Sequence, residues 1–266
     1  MDSADDRHPY FDGPYPRAYA HRGWHVGDAG ENTLSAFVRA ADEGLGYVEL
    51  DVHASADGIA MVHHDPTLDR ATDGTGRIAA LPADAVAEAK VAGREAVPRL
   101  GEVLRAVPGL RVTIELKSDA VVGPTLAVLD ELDAWDRVCL GAFNESRLAR
   151  ARALAGPMLC TSLGERGVLG LRGRAWADAV PGAGRLAHAV LPAVEGDLAQ
   201  VPIDFGPLTV VDRRFVRVAH ELGREVHVWT VDDPARMNRL LDLGVDGLLS
   251  DRPDVLREVV AARAVR

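Results

Sequence analysis

Tyr47-Val48-Glu49-Leu50-Asp51-Val52 reads as a strand with Val48, Leu50 and Val52 on one face and Glu49 and Asp51 on the other. Side chains alternate between faces along a strand, so carboxylates two apart project together. Arg111-Val112-Thr113-Ile114-Glu115-Leu116-Lys117 repeats the scheme, with Val112, Ile114 and Leu116 packing outward and Thr113, Glu115 and Lys117 inward. Charge recurring at the strand period marks one side of this sheet as a working surface. Three carboxylates gathered there repel one another and raise one another's pKa unless a cation sits between them. Any one of them alone could equally pair with a basic residue at a strand end; the three together point to a divalent ion. Oxygen ligands without nearby thiolates favour Mg²⁺ or Ca²⁺, with Mn²⁺ third, whereas a zinc site would bring several His or Cys.

Two histidines flank the carboxylates. His21 ends the apparent strand Arg17-Ala18-Tyr19-Ala20-His21 and is followed by Arg22-Gly23. His64 ends Ile59-Ala60-Met61-Val62-His63-His64, which Asp65-Pro66 then stops. Alternation sends His63 and His64 to opposite faces, so one of them enters the site. Histidine titrates near neutral pH, and two beside a cation can divide the work of base and acid.

Working outward, strand and helix signals alternate, the pattern of a parallel α/β fold. Strands are expected at 137–142, 158–162, 186–191, 225–230 and 246–250. Helices are expected from Asn32 or Thr33 onward and near 122–134, 145–154, 213–222, 233–243 and 253–263; the Gly- and Arg-rich stretch 164–184 gives no clear reading. The Asp57-Gly58 turn makes 47–52 and 59–64 a local hairpin. Residues 66–99 read as a small insertion after the second strand, over the mouth of the site, where its size would govern which leaving group fits. Residues 1–15, with Pro9, Gly13 and Pro14, read as a flexible leader before a single domain, 16–266.

At 266 residues and 47% hydrophobic the chain suits one large domain. A formal charge of −10 argues against a nucleic-acid partner. The acidic start and the lack of any long apolar stretch give the expectation of a cytoplasmic protein without a membrane segment. Cys139 and Cys160 lie in apolar strands and read as core thiols rather than a disulfide. Gly74-Thr75-Gly76 is a chance match to a dinucleotide loop, and no Gly-x-Ser-x-Gly, P-loop or His-Glu-x-x-His is present. Trp229 reads as half structural, its bulk capping the barrel and its face free to pack against part of a ligand. Asp251-Arg252 reads as an ion pair or helix cap before Pro253.

In order and spacing, His21-Arg22-Gly23, Glu31-Asn32-Thr33, Glu49-Leu50-Asp51-Val52, His64-Asp65-Pro66-Thr67-Leu68-Asp69-Arg70, Ile114-Glu115-Leu116-Lys117, Val228-Trp229-Thr230 and Ser250-Asp251-Arg252-Pro253 resemble the glycerophosphodiester phosphodiesterases. The resemblance covers roughly residues 17 to 257, and the ordered co-occurrence of its pieces is what makes it specific. It implies a (β/α)₈ TIM barrel and metal-dependent hydrolysis of glycerophosphodiesters to an alcohol and sn-glycerol 3-phosphate. It further implies Glu49, Asp51 and Glu115 as metal ligands, His21 and His64 as general acid and base, and Arg22 and Lys117 on the phosphate. The chain departs from the family pattern at Gly30, where a proline is usual, at Arg99, at Ala142-Phe143 and in the extra His25. The head group, the ion and the oligomeric state are left open. Alternatives are a lysophospholipase D-type enzyme on the same barrel, distinguished by turnover of long-chain substrates and by an apolar mouth that the sequence does not show, and a non-catalytic phosphodiester-binding protein, which would not need both histidines. An amidohydrolase is disfavoured because Ala20-His21-Arg22 lacks a His-x-His.

Overall fold

The computed structural model describes residues 7–27, 29–179 and 190–264. Its strands are β1 (Arg17–His21), β2 (Tyr47–Ala54), β3 (Ala60–Val62), β4 (Lys90–Val91), β5 (Glu95–Ala96), β6 (Arg111–Leu116), β7 (Val138–Gly141), β8 (Cys160–Thr161), β9 (Leu198–Pro202), β10 (Asp204–Phe205), β11 (Leu208–Thr209), β12 (Glu225–Trp229) and β13 (Gly247–Ser250). Eight of them run parallel in the order β8-β7-β6-β2-β1-β13-β12-β9. A parallel bridge between Ser162 and Leu198, with Leu163 N donating to Leu198 O at 2.8 Å, joins β8 to β9 and brings the sheet round into a barrel. This is the expected (β/α)₈ architecture.

The outward faces of the strands carry the apolar alternation and pack under helices. Val48, Leu50, Val112 and Ile114 meet Phe37 and Leu104 in one half of the shell, and Val226 and Val228 meet Phe215 and Met237 in the other. Short polar side chains start the helices: Thr33 accepts from Ala36 N, Asn144 from Ser146 N and Asp212 from Phe215 N. None of the described helices is long and apolar enough to cross a membrane.

Two expectations need correction, and a third falls largely outside the described residues. Part of the proposed leader is packed structure: Pro9–Asp12 form a 3₁₀ turn whose Tyr10 is fully buried at the N-terminal end of the barrel. The Tyr10 hydroxyl lies 2.8 Å from the Tyr19 hydroxyl and 2.7 Å from Thr113 Oγ1, while Arg17 Nη2 donates to Phe11 O at 2.7 Å. Burying an aromatic ring with a partnered hydroxyl outweighs the turn-forming prolines and glycines around it. The strand expected at 186–191 falls largely on residues outside those described; the barrel strand of this region is β9 at 198–202, preceded by α6 (Glu165–Ala177) in the stretch that gave no clear reading. The segment 66–99 does form a unit with its own small core, in which Leu68, Ile78, Val86, Val91 and Val97 are buried against Met61. None of its residues lines the cavity at the barrel mouth, over which the sequence reading sets it.

Candidate active site

Strand register assembles the site. β1 and β2 pair with His21 opposite Glu49, and β2 and β6 with Asp51 opposite Glu115. The outcome is a cluster in which one oxygen each of Glu49, Asp51 and Glu115 lies within 4.8 Å of the others. Glu49 and Asp51 are 4% and 1% exposed. Burial, then the neighbouring Asp51 charge, push the Glu49 carboxyl up to about 8, against the opposing pull of His21. Asp51 is also penalised by burial, yet the Lys117 ammonium and the Asn32 amide hold it below the ordinary value. Lys117 Nζ lies between Asp51 Oδ1 at 2.8 Å and Glu115 Oε2 at 2.9 Å, and burial notwithstanding these carboxylates raise its pKa.

The donor set is all hard oxygen, two of its members are dry, and one is held nearly neutral for want of countercharge. Those properties fit a divalent ion such as Mg²⁺ or Ca²⁺.

Each histidine is anchored at Nδ1 by its own carboxylate, His21 by Asp251 at 2.7 Å and His64 by Asp65 at 2.6 Å. That leaves Nε2 on each ring as the working nitrogen; for His21 it lies 3.7 Å from Glu49 Oε2. Burial pulls the His21 pKa down, but the Asp251 hydrogen bond and the Glu49 charge more than compensate, and the net shift is upward. His63 turns away, its Nε2 bonded to Thr67 O at 3.1 Å, as alternation predicted. Asp65 is also held by Arg70, which reaches on to Glu31 at 2.5 Å; burial opposes ionisation, yet these partners bring its pKa down to about 2.

Arg22 occupies the left-handed region, φ 57°, and its backbone N–H donates to Glu49 Oε2 at 3.2 Å. Its Nη1 meets Glu31 at 3.2 Å; its buried Nε makes no hydrogen bond, though Asp51 Oδ2 lies 3.4 Å away. Gly23 follows at φ 85° with helix α1 (Leu34–Asp42) against it; a Cβ there would meet Ala36 Cβ at 2.8 Å. Only glycine allows both that dihedral and that approach. Gly30, where the family pattern has proline, faces Val91 so closely that a Cβ would come within 2.5 Å of it.

His21, Arg22, Glu49, His64, Glu115, Lys117 and Trp229 all line one cavity of about 330 Å³ at the C-terminal ends of the strands. Asp51 is not among the lining residues but is paired with Lys117, which is, at 2.8 Å. Trp229 packs edge-on against Phe143, ring centroids 5.9 Å apart, on the wall of this cavity.

Two supporting residues escaped the sequence reading. Asp251 does not pair with Arg252, which binds Asp254 at 2.7 Å; it anchors His21 and also meets His25 Nε2 at 3.3 Å. Asn32, read only as a candidate cap, donates to Asp51 Oδ2 at 2.9 Å, while Thr33 caps the helix. Asn32 takes the left-handed conformation, φ 56°, which asparagine adopts more readily than most residues.

A parallel eight-stranded barrel with its polar cluster at the C-terminal strand ends is the layout of a (β/α)₈ enzyme. The sequence matches the glycerophosphoryl diester phosphodiesterase family over residues 17–255, and the chain belongs to that family. It is 37% identical over 246 residues to the "Probable glycerophosphodiester phosphodiesterase 2" of Mycobacterium tuberculosis, covering 92% of this chain and 91% of that protein. Among solved structures it is similar to a glycerophosphoryl diester phosphodiesterase assigned in Silicibacter pomeroyi DSS-3, with a TM-score of 0.75, 25% identity and 93% of each chain covered. It shares its fold with an Oleispira antarctica phosphodiesterase solved with the product sn-glycerol-3-phosphate, at a TM-score of 0.73 and 24% identity, covering 95% of this chain and 99% of that one. The family resemblance read from the sequence is borne out.

Proposed function

We infer that this protein hydrolyses glycerophosphodiesters to an alcohol and sn-glycerol 3-phosphate, using His21 and His64 as general acid and base beside a divalent cation held by Glu49, Asp51 and Glu115. The observation that carries this reading is the pair of carboxylate-anchored histidines facing the same cavity as the three-carboxylate cluster. A binding protein has no use for two imidazoles oriented for proton transfer. Membership in the family and the product bound by the Oleispira antarctica enzyme support the same substrate class.

When bound, a divalent ion supplies positive charge for the phosphoryl oxygens and lowers the pKa of an adjacent hydroxyl. The remaining work falls to side chains. One histidine, neutral at Nε2, accepts the proton of the attacking hydroxyl, and the other, protonated, delivers one to the departing alcohol oxygen. Asp251 and Asp65 fix the ring tautomers by accepting from Nδ1. Arg22, with its unbonded Nε, and Lys117 draw the anionic phosphate in despite the chain's net charge of −10. Trp229 forms the wall on which the alcohol packs.

The test is release of sn-glycerol 3-phosphate from glycerophosphocholine and glycerophosphoethanolamine by metal-stripped protein, with Mg²⁺, Ca²⁺ and Mn²⁺ returned singly. Ion-dependent release that falls about 10²- to 10⁴-fold in His21→Ala and His64→Ala is the expected result. No release with any ion overturns the reading in favour of a binding role.

A further inference from the structure

The proposed reaction leaves His25 without a role. It lies on the loop that leaves β1, after His21, and does not line the cavity. Its side chain is 20% exposed, and its Nε2 lies 3.3 Å from Asp251 Oδ1, the same oxygen that His21 Nδ1 meets at 2.7 Å. An ionised carboxylate only accepts, so each ring carries a hydrogen on the nitrogen facing Asp251. A single oxygen thus takes two imidazole N–H groups, one from inside the cavity wall and one from outside it.

Asp251 has a fixed backbone and a loosely held side chain. Its N–H donates to Asp232 Oδ1 at 2.9 Å, and Ser250 Oγ donates to the same oxygen at 2.8 Å. Its side chain is 42% exposed, and among the described residues only the two histidines bind its carboxylate. Without His25, His21 would be the sole restraint on a carboxylate that can turn toward water. The loop carrying His25 is tied down on both sides. Trp24 N donates to Ala36 O at 2.8 Å, and Arg39 Nη1 donates to Val26 O at 3.0 Å. The guanidinium groups of Arg39 and of Arg257, the latter from the helix Pro253–Ala264, pack over the Trp24 ring at 5.7 and 5.1 Å. A donor on so firm a loop can orient a half-exposed acceptor.

We propose that His25 is a positioning residue for the hydrolysis: by donating to Asp251 Oδ1 it holds that carboxylate where it accepts from His21 Nδ1, and so keeps His21 Nε2 aimed into the cavity. The role rests on the hydrolase reading above, in which His21 moves a proton. His25 acts through Asp251 and lines no part of the cavity, so its loss slows turnover and leaves ground-state binding alone. One net hydrogen bond is worth about twofold to about tenfold in rate, and a long bond to a half-exposed acceptor belongs in the lower half of that range.

The experiment measures sn-glycerol 3-phosphate release by the intact, ion-supplied protein and by its His25→Ala and His25→Gln variants. Gln puts an amide N–H close to the position of the histidine Nε2–H. His25→Ala is expected to lower kcat about threefold to fivefold, with KM and the Kd for the ion unchanged, and His25→Gln to restore it. In an Asp251→Ala background the His25→Ala change should cost nothing further, because the carboxylate it works through is gone. An Ala variant less than about twofold slower than wild type overturns the role while the hydrolase reading stands. So does a Gln variant as slow as the Ala variant, a loss that persists in full without Asp251, or a raised KM at unchanged kcat. Should the wild type hydrolyse nothing, the low-field proton resonance of His21 Nδ1–H decides, identified by its disappearance in Asp251→Ala. A signal broadened by exchange with water in His25→Ala and sharp in His25→Gln upholds the role, and equal widths in all three proteins overturn it.

Discussion

Replacing Asp251 by Asn probes the least obvious part of the site. Asp251 accepts from His21 Nδ1 at 2.7 Å, with the histidine 14% and the aspartate 42% exposed at their side chains. A hydrogen bond to a charged group contributes about 1.5–3 kcal/mol when dry. Water screens a carboxylate this exposed, which puts the contribution at the lower bound, about 1.5 kcal/mol. Asn keeps an acceptor oxygen for Nδ1, so the tautomer survives and the lost charge is what is measured. If that charge stabilises the imidazolium in the transition state, kcat should fall about tenfold, with little change in the affinity of the site for its ion.

The pH profile supplies a second readout that a merely structural role would not move. Burial pulls the His21 pKa down, and in the wild type the Asp251 hydrogen bond and the Glu49 charge more than compensate. Removing the Asp251 charge lets burial gain ground, so the His21 pKa must drop. If His21 serves as base, the acidic limb of the kcat/KM profile moves to lower pH; if it serves as acid, the alkaline limb does. Both assignments predict a shift in the same direction. The assay is sn-glycerol 3-phosphate release between about pH 5 and about pH 9 under saturating ion. A variant within about twofold of wild type across that range, with neither limb displaced, would refute the positioning role.

Other consequences follow from the same geometry. In metal-stripped protein Glu49, with its folded pKa raised to about 8, favours folding only while protonated, so stability should decline as pH rises from the ordinary carboxylate range toward 8; Glu49→Gln should flatten that decline, and parallel melting curves for the two proteins would contradict it. Asn32→Ala removes the donor that holds Asp51 Oδ2 at 2.9 Å and should weaken ion binding by about tenfold in calorimetric titration, the lower end of what lost supporting hydrogen bonds cost a metal site; equal Kd values would show that Asn32 is only a turn residue. Tyr10→Ala empties the buried plug at the barrel base and should cost about 3–5 kcal/mol, lowering Tm by roughly 10 °C, whereas a change of about 1 °C would mean that the segment contributes no packing.

What the sequence revealed, and what it hid, divides along contact range. The faces of β2 and β6 were readable because charge at period two is a local signal: Glu49 with Asp51, and Glu115 with Lys117, declare their side without any knowledge of neighbours. His21 and His64 were readable for the same reason, each being the polar end of an apolar run. Asp251 is 230 positions from the histidine it anchors, and no local pattern separates it from an aspartate that caps a helix. β9 escaped because Leu198-Ala199-Gln200-Val201-Pro202 is short, lacks a β-branched run and ends in a proline. Tyr10 was hidden among turn-forming residues whose local preference burial overrode.

The two ends of the barrel carry different polar groups. Toward the N-terminal end one chain of hydrogen bonds runs through the interior: Gln200 Nε2 donates to Thr113 Oγ1 at 3.2 Å, Thr113 meets Tyr10, Tyr10 meets Tyr19, and Tyr19 meets His227 Nδ1 at 3.0 Å. His227 Nε2 then reaches Glu225 at 2.8 Å, where burial opposes ionisation but His227 and Arg17 bring the carboxyl down to about 2. A buried network with its members partnered is rigid, and it can hold the strands at fixed spacing. At the other end the same strands carry Glu49, raised to about 8 by burial and by Asp51, and Arg22 Nε without an acceptor. Without an ion there Glu49 is relieved by keeping its proton, and a cation bound among the carboxylates would let it ionise. If the base network fixes the strand spacing that brings Glu49, Asp51 and Glu115 together, Tyr10→Ala should weaken ion binding as well as lower Tm, and an unchanged Kd beside a lowered Tm would separate the two ends.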